Sequence, residues 1–192
     1  MEEQEWEKFK TETKKQLSTF FKSSKYANTA KHEILDIFDK IDVSHRDVIT
    51  ILRIVSASKN PREITVAGML AFLWEFEGSY SSTIDAFCYL LVVNGHDLFD
   101  IISRKYVHSL EDIGKVHISP KLNFLKEHDF GIFNRTEDKK LRDKIAHYRF
   151  TWDDSGRLLI DNQTVDIESR LDDLFFFTHQ VFKTLLNCFE EC

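Results

Sequence analysis

Turn-forming residues are scarce, with 2 Pro and 6 Gly in 192 residues. A large all-β fold needs turn chemistry at every chain reversal, so this scarcity weighs against one and favours helices. Cysteine is also sparse. Cys88, Cys188 and Cys192 are too few and too odd in number for a disulfide framework, which fits a reducing compartment. Cys188 and Cys192 have no second pair to complete a zinc site. No uncharged apolar run approaches the length of a bilayer span; the longest, Val66 to Trp74, has nine residues. The opening Met1-Glu2-Glu3-Gln4-Glu5 lacks the basic and apolar regions of a secretory leader, so a cytoplasmic protein without a membrane partner is expected. Glycine-rich phosphate loops are missing, which removes the usual ATP- and NAD-binding arrangements.

What is present is bulky and charged. Seventeen Phe and three Trp supply core material, and hydrophobic and charged residues make up 42% and 30% of the chain. That balance belongs to a folded globular protein. The net charge of −6 argues against a general nucleic-acid coat protein, yet its distribution is uneven. Within residues 131–150, Arg135, Lys139, Lys140, Arg142, Lys144 and Arg149 outnumber Glu137, Asp138 and Asp143. Beyond residue 153 acids dominate.

Apolar spacing predicts a helix over the first 25 residues (Trp6, Phe9, Leu17, Phe20) and a second from about Asn28 (Ile34, Ile37, Phe38, Ile41). Ser44-His45-Arg46-Asp47 resembles a capping box and predicts a third helix start. The polar break at Ser56–Pro61 suggests a boundary, giving an N-terminal helical extension over 1–60 and a main helical domain over 61–192. A strongly apolar helical stretch from Thr65 to Gly95 is interrupted near Gly78–Ser82. Ser109 and then Ser119-Pro120 open two further helices, and Thr136 or Glu137 opens one running through Tyr148. Phe150 and Trp152, a turn at Asp154-Ser155-Gly156, and Leu158 and Ile160 predict a β-hairpin over 149–161. A final core helix spans about Asp166–Phe189, in which His179 is expected to be packed. The expected architecture is thus an all-α helical bundle with a small β-hairpin and an N-terminal helical extension.

Two His-Asp dipeptides, His96-Asp97 and His128-Asp129, each follow an apolar helix. Such pairs can serve as divalent-metal ligands for phosphoester hydrolysis, or simply place a histidine at the favourable C-terminal end of a helix dipole. The segment Leu141-Arg142-Asp143-Lys144-Ile145-Ala146-His147-Tyr148 carries the most chemistry. At about 100° per residue, Leu141, Ile145 and Tyr148 share a core face, while Arg142, Asp143, Ala146 and His147 share the opposite one. Asp143 and His147, four residues apart, are neighbours, so the carboxylate can orient the imidazole. Arg142 lies about 140° round from His147, too far for one helix to bring both to one phosphate. Two such helices meeting at the small Ala146 could do so.

Arg142-x4-His147, with an apolar residue before the Arg, Asp143 after it and Ala146 before the His, resembles the signature of the HEPN superfamily. The likeness extends to element order over about residues 62–192. It implies an all-helical fold and metal-independent RNA cleavage, with no cofactor, in a homodimer. Toxin–antitoxin or phage-defence systems are the usual setting, with a cognate antitoxin protein as a further partner. Arg142 and His147 match the catalytic pair and Asp143 the polar partner, leaving Lys139, Lys140, Lys144 and Arg149 to attract RNA and Ala146 to form the dimer interface. One departure concerns a subgroup silenced by tyrosine modification, which has His-x-Tyr; here Tyr148 follows His147 directly and Arg149 takes the later place. The alternative reading is a non-catalytic module of this superfamily that binds RNA, nucleotide or a partner protein.

Overall fold

A computed structural model describes residues 3–22 and 27–191. Its elements run α1 (Glu3–Lys22), α2 (Ala27–Val55), α3 (Pro61–Trp74), a π-helical turn (Glu75–Tyr80), α4 (Ser81–Val93), β1 (Leu98–Asp100) and β2 (Lys105–Val107). There follow α5 (Leu110–Lys115), α6 (Ile118–Glu127), a 3-10 turn (Gly131–Phe133), α7 (Thr136–Ala146), β3 (Thr151–Trp152), β4 (Leu158–Ile160), β5 (Gln163–Thr164) and α8 (Ile167–Glu191). The mostly helical class with a small hairpin is the one expected. Cys192 lies outside the described residues, so the terminal cysteine pair is not observed as a pair; Cys88 and Cys188 are buried.

Two compact units form, each from separate stretches of chain. The first comprises residues 1–39, 81–134 and 180–192. Its centre is a set of phenylalanines: Phe9 of α1 packs on Phe87 of α4 at 5.4 Å between ring centroids, and Phe87 on Phe130 and Phe133 at 5.0 and 5.1 Å. Phe9 is 1% exposed, so α1 supplies core to this unit; residue 60 is therefore not where the compact units divide. A second hairpin, β1–β2, was not anticipated. It pairs Leu98 with Val107, both buried, and Phe99 with Tyr106, both exposed.

The second unit comprises residues 40–80 and 135–179. The expected hairpin is there, with Trp152 opposite Leu158, and β5 adds a third strand in the order β3-β4-β5. Asn60 caps α3 by accepting from the Arg62 amide at 3.0 Å, with Pro61 next to it. The interruption near Gly78 proves to be the π turn, a feature that often marks functional positions.

Several expectations need correction. Ser44 starts no helix: α2 continues through it, and its buried hydroxyl donates to the Trp74 carbonyl at 3.3 Å instead. Ser119 is likewise inside α6, which begins at Ile118, whereas Ser109 caps α5 as expected. His179 is exposed and stacks on Phe175, because its position on α8 faces away from the core stripe of Leu171, Leu174 and Val181.

A candidate active face on α7

Helix α7 buries Leu141 and Ile145, as its periodicity requires. It ends at Ala146, two residues earlier than expected. The Arg149 amide bonds back to the Lys144 carbonyl at 2.8 Å and the Tyr148 amide to the Ile145 carbonyl at 3.1 Å. This pair of bonds satisfies two terminal carbonyls and puts Tyr148 in the left-handed region at φ 53°. That reversal swings Tyr148 out of the core face into solvent, where it is 85% exposed. His147 becomes the residue closing the helix, exposed, with Ala146 half-buried beside it.

The expected Asp143–His147 side-chain pairing is not formed, although the His147 amide still bonds to the Asp143 carbonyl at 3.2 Å. Asp143 instead accepts from Arg142 Nη1 at 2.9 Å, and the His147 ring has no hydrogen bond among the described residues. Arg142 is held from its other side by Glu77 of the π turn, whose carboxylate receives Nε and lies against Nη2. Partial burial pulls the Arg142 guanidinium down, but its hydrogen bonds to Asp143 and Glu77 outweigh that and leave the group above its ordinary value.

The π turn is anchored from beneath. Glu75 is wholly buried, 3.2 Å from His45 Nε2 through one oxygen, and accepts from Ser79 Oγ at 3.0 Å through the other. The Thr178 hydroxyl also donates to it. Each group that Glu75 meets offers or can offer a proton, which is what a carboxylate removed from water requires. Gly78 fits because a Cβ there would lie 2.2 Å from Ser44 Oγ. Neither Glu75 nor Glu77 was singled out from the sequence. The one local signal is the Gly78–Ser82 interruption, which begins directly after Glu77.

The expected RNA-binding cations divide between faces. Lys140 pairs with Glu137 at 2.7 Å and Lys144 with Asp161 at 2.8 Å, both along a cleft of about 440 Å³ that Arg170 and Gln163 also line. Lys139 is half-buried. Arg149 is exposed without an ion-pair partner among the described residues. Much of the positive charge read from residues 131–150 is therefore answered locally, including Arg135 by Asp138.

In the first unit, His96 and His128 come together, with rings 4.3 Å apart at the ends of α4 and α6. Burial, then the neighbouring His96, holds His128 below its ordinary value against the pull of Glu127, Glu12 and Asp129. Asp129 is taken up by Lys8 at 2.6 Å, and no group of three His, Cys, Asp or Glu among the described residues is placed to hold a metal ion. No helix among the described residues is long and apolar enough to cross a membrane. No protein-family model, curated protein or solved structure matches the chain.

Proposed function

We propose that this chain is a metal-independent endoribonuclease of the HEPN type, cytoplasmic, acting as a toxin or defence effector and working as a homodimer. The observation that carries the reading is the exposed end of α7. There, five residues apart, stand a half-buried guanidinium with N–H donors to spare and an exposed imidazole that makes no hydrogen bond among the described residues. In the reaction, an RNA 2′-hydroxyl attacks the adjacent phosphorus, giving a 2′,3′-cyclic phosphate and a free 5′-hydroxyl. His147 moves the proton, as general base or general acid. Arg142 stabilises charge on the phosphoryl oxygens, where its planar fork fits better than an ammonium. Asp143 holds Arg142 rather than His147. A second copy meeting the first near Ala146 brings both residue types into one cleft and doubles the contribution of Lys139, Lys140, Lys144 and Arg149. A cognate antitoxin protein would fit the same face.

The test is cleavage of mixed RNA in EDTA by wild type, Arg142→Ala and His147→Ala, with melting curves to check folding. Loss in both variants supports the assignment, and wild-type rates in either contradict it. Ala146→Glu should split the dimer and abolish cleavage together. One observation favours the alternative of a non-catalytic module binding RNA, nucleotide or a partner protein: Lys140, Lys144 and Arg142 are all engaged by carboxylates. RNA binding without cleavage by the wild type would decide for it.

A further inference from the structure

We propose that Glu77 is the positioning residue of this face: it aims the Arg142 guanidinium and sets how strongly that group can hold a phosphate. The inference rests on the reading of α7 as an RNA site. An arginine offers five N–H groups in a rigid plane. Glu77 takes the edge formed by Nε and Nη2, and Asp143 takes Nη1 at 2.9 Å. Among the described residues, two N–H groups, one on each terminal nitrogen, remain for a phosphate oxygen. The guanidinium is thus already oriented before RNA arrives.

This aim is built from below. Residues two apart in a helical turn face opposite ways, so the turn that buries Glu75 turns Glu77 outward. Glu75 is fixed by His45, Ser79 and Thr178, and Gly78 is pressed against Ser44. Glu77 therefore stands on a turn whose register is fixed by buried groups. Its second effect is electrostatic. Two carboxylates on one guanidinium leave a net negative charge where a phosphate must approach, which weakens ground-state binding and favours release of product.

Glu77→Gln separates the two effects, since the amide keeps an acceptor for the guanidinium but loses the charge. Binding is read on a 2′-deoxy-substituted RNA by fluorescence anisotropy across a salt series. Affinity should rise about two- to fivefold, the worth of one exposed ion pair. The salt slope should steepen by about one, the value of one more phosphate contact. Both gains should vanish when Arg142→Ala is also present. An equal gain without Arg142 would reduce Glu77 to general surface charge and overturn the proposal. Phenylglyoxal labelling, located by mass spectrometry, gives a reading independent of RNA. Arg142 should react several-fold faster in Glu77→Gln than in wild type, and an unchanged rate overturns the proposal outright. Faster labelling in a protein that binds no RNA would uphold the Glu77–Arg142 hold while contradicting the RNA reading of the face.

Discussion

Replacing Gly78 by alanine places a methyl group where Ser44 already stands. The new Cβ would lie 2.2 Å from Ser44 Oγ and 2.8 Å from Ser44 Cβ. Rotating the Ser44 hydroxyl relieves only the first clash, because its Cβ is fixed to the α2 backbone. The hydroxyl would also lose its bond to the Trp74 carbonyl. Overpacking of this kind costs about 1–3 kcal/mol. Alanine recovers up to about 1 kcal/mol over glycine in a helical backbone, so the net loss should be about 1–2 kcal/mol. For a chain of this length that corresponds to roughly 2–8 °C in melting temperature. Ser44→Gly in the Gly78→Ala background should restore much of it, and a double-mutant cycle should show coupling of about 1 kcal/mol or more. Urea and thermal melts measure both. The turn should also shift Glu77 off Arg142, raising phenylglyoxal reactivity there. A Gly78→Ala protein that melts with wild type, or one that Ser44→Gly fails to rescue, would refute the steric argument.

Other expectations follow from the same contacts. Glu75→Ala should cost about 2–4 kcal/mol in denaturant unfolding, since it strands His45 and Ser79 in the core, and Glu75→Gln should cost less. His128, held below its ordinary value of 6.5, binds a proton less readily folded than unfolded. Its contribution to stability is therefore complete above about pH 6.5 and is lost as pH falls below it; His128→Gln should flatten that part of the melting-temperature profile. Trp152 is half-buried with the Arg62 guanidinium 5.0 Å from its ring centroid, so Trp152→Ala should cost about 1–2 kcal/mol in a melt rather than the larger penalty of a core aromatic.

What could be read from the sequence was what short-range chemistry controls. Ser109 announces α5 because its hydroxyl reaches the Asp112 amide three residues on. The 149–161 hairpin announces itself through alternation about Asp154-Ser155-Gly156. Ser44 carries the same kind of cap signal but is a buried mid-helix residue, since its carbonyl partner is Trp74, thirty residues away. Tyr148 fits the core face of a helical wheel, yet it is itself a left-handed residue that no glycine marks, so the wheel does not reach it. The pairing of Arg142 with Glu77 spans 65 residues, so nothing local signals it. The charged segment of 131–150 was legible, but its neutralisation by Asp161 and Glu77 depends on tertiary packing.

The central claim is best tested by the ends of the products. A defined RNA incubated in EDTA with the full chain should yield fragments that mass spectrometry identifies as 2′,3′-cyclic phosphates paired with 5′-hydroxyl ends. A strand 2′-deoxy at the cleaved position should remain whole, and His147→Ala should yield neither fragment. Cleavage that persists on the 2′-deoxy strand, or that requires a divalent metal, would contradict the account.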